Sequence, residues 1–531
     1  MSEVVPPDGR RTRPLVGLCA VLLGAFVSTL NGRLSTFGLA DIRGALGFGV
    51  DEAAWITTAQ TVAQMMVAPL AVWAGSVFGP RRVLFAGCVV FGTASALLPF
   101  CRGIEPMLAM QFVAGLGSGC FMPLTIMFVL RNLAPRYWAL GIALYALNIE
   151  ASLNISASVE GFYIDHASWA WIFWQNVPLA LAMLLCVHSG IGSQPVDRRA
   201  ASRADWFGMA SAAVGFSLIY AALDQGNRLD WLNSGLIVAL LVGGGVLVLA
   251  FFVYEAIATA PWINVRMLAG GYLPILLLLV CEVRFASLGT AYLVPQFLAV
   301  VRGFRPPEVG SVLLWIAIPQ LIAVPLAAVL LRRVDPRWVA FAGLAMIGAA
   351  CSITATHLTP QWATGDFLAT QLLQALGQTC AISAAIFVGV LNLKPADIPT
   401  FGVMIQIARL FGGEIGFAYI VTFVRVSEQS ASHVFGSHVQ AGAIDAVGRL
   451  QSIAAALASR ADGAGAAASR AVAILAQSVR LQANQQSLIE GFAVIAASTA
   501  LAFLLLLTFD RPPTGPASPQ GPLGRIRWMK K

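Results

Sequence analysis

Charge is what this sequence lacks. Of 531 residues only 11% are Asp, Glu, Lys or Arg, while 58% are hydrophobic; an average soluble domain carries roughly 25% charged residues. Apolar runs of about 18 residues or more recur from one end to the other, and about 20 such residues cross a bilayer core roughly 30 Å thick. A soluble globular protein is thereby excluded, and the class is an all-α polytopic membrane protein. The loops lack GxxxxGK[ST], so ATP-driven transport is excluded as well. They also lack acid clusters for metal–phosphate binding and any Ser/His/Asp grouping, so no enzyme is expected. The eight cysteines are scattered through apolar runs with neither CxxC nor metal-ligand spacing, which reads as small hydrophobic core residues. The five histidines are dispersed, and the loop pair His433 and His438 alone does not make a metal site. No cofactor and no metal are expected. The first run, PLVGLCAVLLGAFVSTL, is longer than a signal-peptide core and has no small-x-small site after it, so it is expected to remain as a helix.

The apolar runs number 14 expected spans, near 14–37, 53–77, 82–100, 106–130, 137–161, 170–192, 206–223, 234–256, 271–297, 308–331, 337–356, 366–391, 401–424 and 491–509. The net charge of +8 is distributed as topology and not as a nucleic-acid footprint. With the N-terminus inside, the cytoplasmic segments hold 20 Lys/Arg and the short outer loops five; the positive-inside rule then puts both termini in the cytoplasm. The long loop 425–490 adds five Arg, but long loops translocate largely regardless of charge.

An internal repeat organises the chain. PLAVWAGSVFGPRRVLFAG (69–87) aligns with PLAAVLLRRVDPRWVAFAG (325–343) at an offset of 256, with nine identities in 19. The same offset pairs Gly47-Phe48 with Gly303-Phe304 and Glu52 with Glu308. Parallel repeats of this kind build many secondary transporters, with the substrate site between the halves. The expected organisation is a cytoplasmic N-terminus (1–13), a six-helix half (14–192), a polar linker (193–205) and two extra helices (206–256). A second six-helix half (271–509) follows, carrying an insert (426–489) rich in Ala, Ser and Gln with apolar residues at helical spacing, which reads as one or two amphipathic helices. The Pro/Gly-rich tail 510–531 is expected to be disordered and cytoplasmic.

In this order, several stretches resemble the major facilitator superfamily, specifically its 14-span drug:proton antiporter family. LNGRLSTFGLADIRGALG (30–47) occupies the place of the first-helix motif, FGPRRVLFAG (78–87) the cytoplasmic loop motif, and FVAGLGSGCFMPL (112–124) the helix-4 motif. SWAWIFWQNVP (168–178), LDQGNRLDW (223–231) and ARLFGGEIG (408–416) match the start of helix 6, the helix 7–8 turn and the helix-13 signature. The resemblance implies the major facilitator fold, two six-helix halves plus two central helices. It also implies proton-coupled efflux of a small molecule across a bacterial inner membrane. Relatives with a long insert before the last span often work with a periplasmic adaptor and an outer-membrane channel, and this insert resembles theirs. The chain departs from the family at Asn31 and Arg33 in helix 1, Ser76 and Val77 in the loop, Gln111 and Ala114 in helix 4, and Ser156–Gly161 in place of the helix-5 antiporter motif.

The remaining chemistry is charge inside the membrane. A charged residue at helix centre costs about 2.5–3.5 kcal/mol on insertion scales, so it faces the bundle interior or a wet cavity and has a partner. Glu150, Glu282, Arg284, Arg409 and Glu414 fall near mid-depth, Asn31 and Arg33 in the outer part of span 1, and Glu160 near the outer end of span 5. Glu282 and Arg284 stand about 200° apart on their helix and cannot face each other. Glu150, Glu282, Glu160 and Glu414 are the candidate proton carriers. Asn31, Arg33, Gln111, Arg284, Gln371 and Gln374 are candidate cavity residues because the family's spans 1, 4, 9 and 12 line its cavity, and Asn154, on a polar stripe of span 5, is a further one. Arg81, Arg82, Arg337, Arg409, Gly412 and Gly413 are candidates for gating or structure. The segment LNIEASLNISASVEGFY (147–163) carries two polar stripes, Glu150/Asn154/Ser158 and Asn148/Ser152/Ser156/Glu160, so one can face the cavity and the other a neighbouring helix. The expected function is proton-coupled export of a small amphipathic compound. The two Arg in cavity-lining spans make an organic or aromatic acid the alternative substrate. A sensor or scaffold that retains the fold without transporting is the alternative of another class.

Overall fold

The computed structural model describes residues 14–133, 137–198, 201, 204–258, 262–268, 273–391, 393, 398–439, 444–457 and 464–508. The expected segments 1–13 and 510–531 lie outside these residues. Within a bilayer each backbone N–H and C=O must be satisfied inside its own segment, so the apolar runs fold as helices. In chain order they are α1 (Pro14–Phe37), α2 (Val50–Val77), α3 (Pro80–Leu97), α4 (Ile104–Asn132), α5 (Trp138–His166), α6 (Trp171–Gly190), α7 (Trp206–Gly226) and α8 (Gly235–Ile257). They continue with α9 (Leu273–Val301), α10 (Pro306–Arg333), α11 (Pro336–His357), α12 (Thr364–Leu391), α13 (Thr400–Ser437) and α14 (Ala464–Leu507).

Among the described residues 13 helices are long and apolar enough to cross a membrane, against 14 expected spans. The difference is α2. It is a continuous 28-residue helix, long enough at 1.5 Å per residue, but Thr57, Thr58, Gln60, Thr61 and Gln64 make it too polar to stand against lipid. Instead it packs on α4 and α7, with Thr58, Gln60 and Gln64 buried.

The repeat seen in the sequence is present in the backbone. Gly47 and Gly303, 256 residues apart, both adopt φ +71°, a left-handed conformation that glycine enters without steric cost. Each is followed by a helix start of the same design: the Glu52 carboxylate accepts from the Gly49 N–H at 3.1 Å, and the Glu308 carboxylate from the Arg305 N–H at 2.9 Å. Helix crossings repeat too. A Cβ on Gly87 would stand 2.8 Å from the Gly117 carbonyl, and one on Gly343 would stand 2.8 Å from the Gly377 carbonyl. Glycine thus brings α3 against α4, and α11 against α12, at backbone distance.

The two six-helix halves, α1–α6 and α9–α14, meet asymmetrically. On one side α5 packs closely along α10, where Ser158 Oγ donates to the Gly310 carbonyl at 2.9 Å. On the other side α7 packs on α2 and also touches α13. The apolar cluster there joins Met65 and Val72 of α2, Phe216 and Tyr220 of α7, Phe251 of α8, and Val403 and Met404 of α13. The end that bears Arg81, Arg82, Arg131, Arg332, Arg333 and Arg337 is here termed the basic end. Close to it, Met122, Ile126, Ile142 and Ile149 of the first half share one apolar cluster with Ile382, Ile386, Phe401 and Ile405 of the second. The halves are sealed there.

α14 runs for 44 residues, roughly 66 Å at 1.5 Å per residue, about twice the hydrocarbon thickness. Most of the described insert is therefore the projecting ends of α13 and α14, with only Ile444–Leu457 as a further helix packed on α14. Gln485 Nε2 ties the projection to the Leu358 carbonyl at 3.2 Å.

A buried charge cluster beneath a cavity between the halves

The polar segment of α5 divides its work among three neighbours. Asn148 Nδ2 donates to the Leu22 carbonyl of α1 at 3.0 Å, and Ser158 bonds α10. Between them Glu150 Oε1 accepts from Arg284 Nη1 of α9 at 2.9 Å. Their side chains are 1% and 5% exposed, and the pair joins the two halves. Buried charges at this depth persist only when paired and hydrogen-bonded. Glu150 Oε2 and Arg284 Nε nevertheless have no hydrogen-bond partner among the described residues.

Further charges gather around this pair. Arg409 of α13 is buried, and its Nε donates to Gln406 Oε1 at 3.2 Å; Glu150, Arg284 and Tyr145 lie within its electrostatic reach. Arg409 sits in a π-helical turn, 408–412, a widening of the helix that is frequent at functional sites. Cys281 Sγ of α9 donates to the Ala408 carbonyl at 3.4 Å across this turn. One turn on, Glu414 Oε2 accepts from the Tyr220 hydroxyl of α7 at 2.8 Å. Arg33 of α1 lies within reach of Glu414, Glu150 and Arg284, yet forms no ion pair among the described residues. Asp224 of α7 closes the group and accepts from Thr58 of α2.

Arg33 also faces a cavity. It occupies about 270 Å³ between the halves, on the side of the cluster away from the basic end. Thr36 and Phe37 of α1, Ala157 and Glu160 of α5, and Tyr292 and Gln296 of α9 line it, with Val309 of α10 and Phe417 of α13. The walls are largely aromatic and aliphatic, with one guanidinium and one carboxyl. The carboxyl groups of Glu160 and Asp41 face each other at its edge.

Several expected residues lie elsewhere. Glu282 is turned outward to α14, where Ser498 Oγ (2.9 Å) and Thr499 Oγ1 (3.2 Å) both donate to its Oε1. This is the opposite side of α9 from Arg284, as a spacing of two residues on a helix requires. Asn31 is fully buried and its Oδ1 accepts from Asn176 of α6, so it stitches α1 to α6 within one half. Gln374 Nε2 donates to Cys351 Sγ of α11 at 3.2 Å and its Oε1 accepts from Gln378. Gln371 is buried, and Asn154 Nδ2 donates to the Glu150 carbonyl of its own helix. Gln111 is fully buried with neither amide atom partnered among the described residues. Of the seven candidate cavity residues Arg33 lines this cavity and the other six do not; Glu160, a candidate proton carrier, lines it beside Arg33.

The loop arginines act within single halves: Arg81 donates to His188 Nδ1 at 3.1 Å, Arg82 to the Phe78 carbonyl at 3.4 Å, and Arg337 to Asp335 at 3.1 Å. Gly412 and Gly413 bring α13 against α9; a Cβ on Gly412 would stand 2.2 Å from Cys281 Sγ. Sequence reasoning missed Tyr145, Tyr220 and Asp224. The signal was a carboxylate ending an apolar run at LDQG, noted only as part of a turn.

Comparisons with known proteins agree with this architecture. The family model of the Major Facilitator Superfamily matches residues 21–280. The multidrug export protein EmrB of Escherichia coli (strain K12) is 22% identical over 517 residues, covering 97% of this chain and 98% of that protein. The multidrug export protein EmrB of Haemophilus influenzae is 22% identical over 421 residues, 78% of this chain and 81% of that one. The crystal structure of the human organic anion transporter MFSD10 (TETRAN) superposes with a TM-score of 0.60 at 13% identity, covering 93% of this chain and all (100%) of that one.

Proposed function

We propose that the chain is a transporter of the major facilitator superfamily, in its drug:proton antiporter family, and that it exports a small amphipathic organic compound in exchange for protons; the match of residues 21–280 to the superfamily model and the similarity to EmrB over 97% of the chain support this. It is a multi-pass membrane protein and not an enzyme. In this reading the membrane is the bacterial inner membrane, the basic end and both termini are cytoplasmic, and the cavity opens toward the periplasm in the conformation described. The halves 14–192 and 271–509 rock against each other, so that the cavity and the sealed basic end exchange roles.

The observation that carries the proposal is the ion pair Arg284–Glu150, which joins the halves beneath the cavity. The pair supports coupling because the two partners answer protons differently. A guanidinium stays charged, whereas a carboxylate can be neutralised. Protonating Glu150 removes the attraction that holds α9 to α5 at mid-depth and leaves Arg284 in need of another anion, with the Glu414 carboxylate nearby. Glu414, bonded by Tyr220, is the second carrier, and Glu160 meets protons first from the cavity. The projecting ends of α13 and α14 suit contact with a periplasmic adaptor protein, which would pass the compound to an outer-membrane channel.

The cavity favours one refinement of the substrate. Arg33 lines it without an ion-pair partner among the described residues, which suits the carboxylate of an aromatic or hydroxy acid. Proteoliposomes with an imposed pH gradient test both points, with 4-hydroxybenzoate and the lipophilic cation tetraphenylphosphonium as opposed probes. Wild type is expected to accumulate the acid, and Glu150→Gln and Glu414→Gln to lose the gradient-driven part. Accumulation of the cation alone would reject the anionic refinement, and undiminished gradient-driven flux in both variants would reject the coupling.

A further inference from the structure

A second cavity, apart from the one between the halves, opens on the flank of the second half. It occupies about 150 Å³ between α9 and α14 and is lined by Leu278, Leu279, Glu282, Ser498, Leu501 and Leu505, among others. Leu278 and Leu501 are 58% and 60% exposed, so on a membrane-spanning helix they face lipid and the groove is reached from the side. Into it projects one carboxyl group. Both hydroxyl partners of Glu282 donate to Oε1, and Oε2 accepts from none of the described residues.

The depth of this carboxyl restricts its ligand. Glu282 lies nine residues into α9, about 14 Å from its start, which is near the middle of a roughly 30 Å core. The lining residues all run from Glu282 toward the basic end, between Ile275 and Glu282 on α9 and between Ser498 and Leu506 on α14. A ligand seated there has its polar group at mid-depth and its apolar body pointing to the membrane surface. This is the reverse of a phospholipid, whose head stays at the interface. The groove spans about seven residues of α9, roughly 10 Å, and its volume is below that of drug-sized pockets, about 300–1,000 Å³. A carboxylate placed among leucines at this depth is costly unless a partner arrives.

We propose that the α9–α14 groove is a binding site for a small amphipathic amine, with its ammonium on Glu282 and an apolar body of about eight carbons against the leucines. The amine enters laterally from the lipid, and Ser498 and Thr499 hold the carboxylate in place for it.

Photolabelling of the full-length protein in phosphatidylcholine nanodiscs tests the site. The probe is octylamine carrying a diazirine near its chain end, compared with the matched alcohol and carboxylic acid. The amine is expected to label peptides containing residues 275–282 and 498–506 at least ten-fold more than either analogue. Unlabelled octylamine is expected to compete, octanol not, and Glu282→Gln to reduce amine labelling to the level of the alcohol. The competition uses wild-type protein, so the outcome does not depend on the variant folding. Equal labelling by the three probes, competition by octanol as strong as by octylamine, or labelling centred elsewhere overturns the proposal.

Discussion

Replacing one partner of the Glu150–Arg284 pair at a time separates its two charges. Breaking a buried pair by removing one partner typically costs about 3–5 kcal/mol, because the other charge is left buried without compensation. Here the two single variants are unequal. Glu150→Gln strands a guanidinium that cannot deprotonate, in a cluster that already holds Arg33 and Arg409, so it should cost near the upper end of that range. Arg284→Met strands a carboxylate that can take up a proton, with Arg409 still within its reach, so it should cost near the lower end. The double variant leaves neither charge buried without its partner, which is the source of the cost in each single variant; it should recover most of the loss. Thermal unfolding in detergent reads the series, with the order Glu150→Gln lowest, then Arg284→Met, then the double variant close to wild type. If the double variant is destabilised by the sum of the single effects, the two residues are energetically independent and the pair does not hold the halves together.

Two further outcomes follow from packing and hydrogen bonding. Gly412→Ala places a Cβ 2.2 Å from Cys281 Sγ and should lower stability by about 1–3 kcal/mol, with partial rescue by Cys281→Ala. By contrast Gly436→Ala, which meets nothing within 4 Å, should be neutral or slightly stabilising in the same melting assay. Tyr220→Phe removes the only donor described for Glu414 Oε2 and should cost about 1.5–3 kcal/mol, the range for hydrogen bonds to charged groups.

Much of the fold was legible because lipid imposes it. A run of apolar residues in a bilayer has few alternatives to a helix, and the 256-residue offset reappears as two glycines at φ +71° and two matching Gly–Gly crossings. The expected span 53–77 is present as α2, but the shelter of its glutamines and threonines by α4 and α7 is not a feature of its own sequence. The ends of α13 and α14 were read as a separate insert because Ala- and Ser-rich projecting turns lack the continuous hydrophobicity by which spans are recognised. In the charge cluster, helical spacing alone separated Glu282 from Arg284, but not which of them faced inward. That depends on α14 offering Ser498 and Thr499 to one side and α5 offering Glu150 to the other. The π-turn at Arg409 and the contribution of α7 through Tyr220 and Asp224 arise from tertiary packing, which periodicity does not encode.

The central claim is that protons cross this protein through Glu150 in exchange for substrate. Proteoliposomes loaded with 4-hydroxybenzoate and enclosing a pH-sensitive dye measure this directly, without an imposed pH gradient. An outward gradient of the acid should drive proton movement in the opposite sense in wild type. In Glu150→Gln protein that still binds the acid, this proton movement should fall to the level of protein-free vesicles. Substrate-driven proton flux that persists in that variant would contradict the account.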